Sequence, residues 1–175
     1  KQLNGTFKHV VALDLLPQEQ GLAWQESLHE QGYRNIVFRH MDVTDFDACQ
    51  ETVHHLHEQY GAIDALINNA GITRDAVFGK MTKQQWDEVL RVNLDGMFHV
   101  TQPVVNYMRA QQYGRIVNVS SVNAQKGQFS QANYAASKAG IYGFTKSLAQ
   151  ELMIKNITVN SISPGYVNTR LMKGI

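Results

Sequence analysis

Short apolar runs that end on a polar residue, each followed by a helical pattern, constrain this 175-residue chain more than any other feature. Residues 9–14, 35–41, 63–67, 115–120 and 157–162 are such runs, rich in Val and Ile and too short to be helices. Helical spacing fills the gaps between them. Residues 17–31 form a polar helical pattern that Gly32 stops, and Phe46, Cys49, Val53, Leu56 and Tyr60 recur at intervals of three and four before Gly61. Thr44, with Asp47 three residues on, is the expected cap of that second helix. Thr82 and Gln85 have the spacing of a capping box ahead of a long pattern from Trp86 to Met108, which Pro103 is expected to bend. Residues 133–153 form the last helix, with Ala and Gly at close-packing positions.

Buried strands alternating with helices predict an α/β fold, a parallel sheet with helices on both faces. No repeat, low-complexity segment or linker divides the chain, so residues 1–175 read as a single domain. In such folds ligands gather beyond the carboxyl ends of the strands. The strand ends carry Asp14, Asp42, Asn68 with Asn69, Ser120 with Ser121, and Pro164 with Gly165, so one rim is expected to be active.

Charge and composition exclude several classes. Sixteen basic against fifteen acidic side chains, with no long run of either sign, argue against a nucleic-acid partner and against an anionic membrane. No apolar stretch reaches the length of a membrane span, and the start of the chain lacks a signal-peptide core. The lone cysteine, Cys49, can form neither an internal disulfide nor a cysteine-based zinc site, which fits the cytoplasm. His54, His55 and His57 lack a carboxylate or cysteine spaced to complete a metal set, so no metal is expected. The first residue, Lys1, suggests that the segment begins inside a longer chain.

The chemistry centres on Tyr134 and Lys138, four residues apart and therefore on one helix face. A cation near a phenol favours the ionised form, which eases proton transfer near neutrality. Ser121 has a hydroxyl that can steady a carbonyl oxygen while Tyr134 donates its proton. Tyrosine and lysine share this spacing on many ordinary helices, and the pattern becomes specific only in company.

That company is present. Asn68-Asn69-Ala70-Gly71, Ser121, Tyr134-x-x-x-Lys138 and Pro164-Gly165 together resemble the short-chain dehydrogenase/reductase family. The resemblance implies a Rossmann-type doubly wound parallel sheet that is incomplete at both ends. The family's glycine-rich loop and first strand would precede Lys1, and its substrate lid and last strand would follow Ile175. Loss of the central first strand predicts two half-sheets with an open crevice between them. By resemblance Ser121 orients the substrate carbonyl, Tyr134 is the proton donor, Lys138 binds the nicotinamide ribose and Asn93 completes a proton relay.

The same likeness places Asp42 and Val43 beside the adenine, and Asn69, Ala70 and Gly71 along the ribose. Pro164, Gly165 and Thr169 fall near the nicotinamide and phosphates. Asp14, at the end of its strand, is suited to accept hydrogen bonds from the adenosine ribose and to repel a 2'-phosphate, so NADH is expected ahead of NADPH. Residues 68–82 and 120–131 are most similar to the family's reductases of 3-oxoacyl thioesters. They imply reduction of the β-keto group of acetoacetyl-CoA to the (R)-3-hydroxy product, with acyl-carrier-protein thioesters as the alternative substrates. Asp75, Lys80, Gln128, Gln131 and Tyr166 would line the substrate pocket with Ser121 and Tyr134, and a homotetramer is implied. The alternative from another class is a nucleotide-binding scaffold without turnover, against which the intact Asn93, Ser121, Tyr134 and Lys138 speak.

Overall fold

The computed structural model describes residues 7–165. Strands β1 (Val10–Asp14), β2 (Ile36–His40), β3 (Ala65–Asn68), β4 (Gly114–Val119) and β5 (Ile157–Ile162) alternate with helices α1 (Gln18–Glu30), α2 (Phe46–Tyr60), α3 (Lys83–Leu90) and α4 (Gly96–Gln111). A short α5 (Asn123–Lys126) and a long α6 (Ala132–Leu152) separate β4 from β5. All strand pairings are parallel, but they form two sheets, β1 with β2 and β3-β4-β5. The half-sheets anticipated from the sequence are present.

Apolar packing joins the two sheets where hydrogen bonds do not. Leu13 of β1 and Leu66 of β3 pack with Val43 against a cluster of Met41, Cys49 of α2 and Val100 of α4. A second cluster lies against the three-stranded sheet, where Ile116, Ile157 and Val159 meet Val53, Val104, Met108 and Leu152. On the outer sheet Phe38 is fully buried against Gly21 of α1, and the Gln25 side chain accepts from the Phe38 N–H at 2.6 Å. Burying a side chain of this size stabilises the fold by about 1.5–3 kcal/mol. A methyl at Gly21 would lie 2.0 Å from the Phe38 ring, so only glycine permits this approach.

Local chemistry corrects two expectations. The cap of α2 is Asp45, whose carboxylate accepts from Ala48 N at 3.0 Å, and not Thr44. The reason is Asp42: its Oδ1 takes both the N–H and the hydroxyl of Thr44 at 2.8 Å, which holds that residue in the turn before the helix. The Thr82–Gln85 capping box is present at the start of α3. The irregularity in the long helical pattern, however, precedes Pro103, which sits inside regular α4. Residues Arg91–Asp95 wind as a π-helix, with Gly96 N–H bonded to Arg91 O five residues back. Single π turns of this kind are frequent at functional sites.

Candidate active site

The loop leaving β3 carries Asn69, Ala70, Gly71 and Asp75, and side chains from α6 and the π turn fasten it along its length. Asn93, 1% exposed, accepts from Ile72 N at 2.8 Å and donates from Nδ2 to Ile72 O and to Ser137 Oγ. Ser137 in turn donates to Tyr134 O at 2.8 Å. Asn133, fully buried, donates to Arg74 O and Gln85 O, both at 3.0 Å, and accepts from Tyr134 N at 2.8 Å. Gln131 donates to Asp75 Oδ2 at 2.8 Å and accepts from Asn123 Nδ2 at 3.0 Å. Just before it, Ser130 holds a left-handed φ of 63°, and its carbonyl accepts from Ala76 N. A non-glycine residue there carries on the order of 1–3 kcal/mol of strain, which the surrounding bonds sustain.

Beneath this rim runs a buried polar chain. Asn68 Nδ2 donates to Thr101 Oγ1 and to Asn118 Oδ1, each at 2.8 Å, and Asn118 Nδ2 donates to Thr145 Oγ1 at 2.9 Å. It ties α4, β3, β4 and α6 together at the carboxyl end of the sheet, and the buried Thr101, Asn118 and Thr145 side chains all find partners in it, as burial demands.

Ser121, Tyr134 and Lys138 converge above that chain. Ser120 Oγ donates to Lys138 O at 2.7 Å and pins α6 to the end of β4, while Ser121 Oγ accepts from Asn123 N at 3.1 Å. The Ser121 hydroxyl lies near enough to the Tyr134 phenol to pull its pKa down. Lys138 is 3% exposed; its ammonium donates to Val119 O at 2.8 Å and lies 5.8 Å from the centre of the Tyr134 ring. Burial lowers the Lys138 pKa to about 8.

The Tyr134 phenol departs from the expectation drawn from spacing. Burial pushes its pKa up and the nearby Asp75 carboxylate adds to this, against the lowering effect of the Ser121 hydroxyl. Lys138 is not among the groups that shift it. A phenol so placed keeps its proton at neutral pH, the state required of a proton donor.

The remaining predicted residues divide by location. Asp14 stands exposed at the end of β1, its Oδ1 accepting from Leu16 N at 3.0 Å, so it does not cap α1. Asp42 closes the turn after β2, where the Thr44 N–H holds its carboxyl below the usual range. Val43 packs closely on Gly96. Lys80 and Gln128 are exposed on the loops flanking Asp75 and Gln131. Pro164 and Gly165 follow β5, and Pro164 O accepts from Val122 N at 3.2 Å. Tyr166 and Thr169 lie outside the described residues. Asn133, Asn123, Asn118 and Tyr142 escaped sequence reasoning. Asn118 alone left a clear signal, a polar side chain inside an otherwise apolar strand.

A dinucleotide fits this rim in one respect that the residues themselves show. A Cβ on Gly71 would come 3.3 Å from Lys138 Nζ and 3.4 Å from Asn93 Oδ1, so glycine keeps the space around the ammonium clear. Among the described residues Lys138 spends one of its three N–H donors on Val119 O, which leaves two for ribose hydroxyls.

Comparison with known proteins gives this arrangement its lineage. The family model described as short chain dehydrogenase matches residues 6–175. The chain belongs to the short chain dehydrogenase family. Within this family it is 54% identical over 134 residues to an acetoacetyl-CoA reductase of Shinella zoogloeoides, covering 77% of this chain and 56% of the relative. It is 53% identical over 129 residues to a 3-oxoacyl-[acyl-carrier-protein] reductase of Thermotoga maritima, covering 74% and 52%. The chain thus spans just over half the length of these two short chain dehydrogenase relatives. A gluconate 5-dehydrogenase of Burkholderia cenocepacia J2315, solved in complex with NADP and tartrate, superposes with a TM-score of 0.91 at 30% identity, covering 98% of this chain and 67% of that one.

Proposed function

We propose that this chain belongs to an NAD(P)H-dependent reductase that converts the β-keto group of acetoacetyl-CoA to the (R)-3-hydroxy thioester. The observation that carries this reading is that Ser121, just past the end of β4, acts on the Tyr134 phenol while Lys138 is buried one turn along α6. A nicotinamide dinucleotide, when bound, supplies the hydride. In this reading the Ser121 and Tyr134 hydroxyls both address the substrate carbonyl oxygen, which is polarised as negative charge develops on it. Tyr134, held protonated by burial, gives its proton to that oxygen. Lys138 binds ribose hydroxyls and places positive charge beneath the phenol as the proton leaves. The side chain of Asn93 is committed to Ile72 and Ser137, so its part is to hold the loop and the turn from which a relay to Lys138 would run.

Asp42, Val43, Asn69, Ala70, Gly71, Pro164, Gly165 and Thr169 are the residues we assign to the cofactor, and Asp75, Lys80, Gln128, Gln131 and Tyr166 those we assign to the thioester. The exposed Asp14 carboxylate supports NADH over NADPH. Identity to the Thermotoga maritima protein supports a second substrate class, 3-oxoacyl carrier-protein thioesters. We further infer a single domain over residues 1–175, a homotetramer and a cytoplasmic setting; among the described residues no helix is long and apolar enough to cross a membrane. The test is turnover of the full-length gene product with acetoacetyl-CoA and with a 3-oxoacyl carrier protein, each with NADH and NADPH. Fastest turnover of acetoacetyl-CoA with NADH is expected. Preference for the carrier-protein substrate would replace the substrate assignment, and no turnover with either would overturn the reductase reading.

A further inference from the structure

Tyr142 has no place in the chemistry above, yet its hydroxyl is where three site-bearing segments meet. It follows Tyr134 by eight residues and Lys138 by four, so all three lie along one face of α6. Gln125 of α5 donates to the Tyr142 hydroxyl at 2.9 Å. Ser163, immediately before Pro164 and Gly165, shares a short hydrogen bond with the same oxygen. The hydroxyl also approaches the Ser121 carbonyl at 3.5 Å.

Backbone bonds already bring the two strand exits together, from Ser120 N to Ile162 O and from Val122 N to Pro164 O. Those bonds fix pairing; the phenol adds a rigid strut between both exits and α6. Burial works against ionisation of Tyr142, but Ser163, Ser120 and Gln125 outweigh it and hold its pKa below the ordinary phenol value, as for an oxygen that receives hydrogen bonds from several sides.

We propose that Tyr142 is a positioning residue for the reduction: through Ser163, Gln125 and the Ser121 carbonyl, its hydroxyl sets the distance between the Ser121–Tyr134 pair and the Pro164–Gly165 segment. This inference rests on the reductase reading, in which the first pair holds the substrate oxygen and the second segment flanks the cofactor. A displacement well under 1 Å between these two bodies misaligns the reacting atoms without removing a contact to either ligand. The effect therefore falls on kcat rather than on KM, by about tenfold.

The experiment compares full-length wild type, Tyr142→Phe, Ser163→Ala and the double variant, with Tyr134→Phe as the control for the reaction itself. Tyr142→Phe deletes one oxygen and keeps the ring. The expected result is a fall in kcat of about tenfold with both KM values within about twofold of wild type. Ser163→Ala should fall similarly, and the double variant no further than the worse single one, since both remove one strut. Wild-type kcat in Tyr142→Phe, losses that multiply in the double variant, or a lowered unfolding midpoint with kcat unchanged would each overturn the positioning role. Retained turnover in Tyr134→Phe would instead refute the reductase reading, so the two failures are distinguishable.

Discussion

Replacing Lys138 by methionine isolates the electrostatic cost of building this site. The ammonium is 3% exposed and its pKa is about 8 in the folded chain, against 10.5 for a free lysine. Between those values the unfolded chain binds more protons than the folded one, so the lysine's contribution to stability rises with pH. It is complete above the unfolded pKa and is lost as pH falls through the folded one. At about 1.4 kcal/mol per pKa unit, the wild type should gain on the order of 2–3 kcal/mol relative to Lys138→Met between pH 7 and pH 10. Urea unfolding of both proteins without cofactor, followed by the fluorescence of Trp24 and Trp86, measures this difference, and titrations common to both cancel. A wild-type minus variant stability that stays flat, or falls, across that interval would refute the claim that Lys138 is held in a desolvated site at a cost in folding energy.

Other substitutions probe the supports. Asn133→Ala leaves the Arg74 and Gln85 carbonyls without their donor and should destabilise the protein by about 3 kcal/mol in urea unfolding. Gly21→Ala drives a methyl into the Phe38 ring and should cost about 1–3 kcal/mol, read as a lowered thermal midpoint with kcat unchanged. Asp14→Ala should shift the ratio of kcat/KM values for NADH and NADPH toward NADPH by about tenfold or more, checked by steady-state kinetics with each cofactor.

Where sequence reasoning succeeded, the deciding physics was local. The five strands are short β-branched runs with polar ends, and the Thr82–Gln85 box joins residues three apart, so both are visible without tertiary information. The four-residue spacing of Tyr134 and Lys138 likewise needs only a helix. The misses come from competition between neighbours or from contacts distant in sequence. Thr44 and Asp45 are both good caps, and the choice falls to Asp45 because Asp42 captures Thr44 first. Pro103 is the visible helix breaker, yet the π turn forms at Asn93, whose side chain is drawn to Ile72 and Ser137 on other segments. The direction of the Tyr134 pKa depends on burial and on the nearby Asp75 carboxylate, and spacing encodes neither. Asn133 and Tyr142 bond across long loops and read as ordinary helix residues until the chain is folded.

Deleting a single oxygen tests the central claim most directly. Tyr134→Phe in the full-length protein removes the proposed proton donor and leaves Ser121, Lys138 and the strand ends in place. Reduction of acetoacetyl-CoA, followed by the loss of near-ultraviolet absorbance of the reduced cofactor, should fall by about a hundredfold or more, while cofactor binding by fluorescence titration stays within about twofold of wild type. Turnover that survives in the variant would contradict the assignment of Tyr134, and with it the chemistry built on the Ser121–Tyr134 pair.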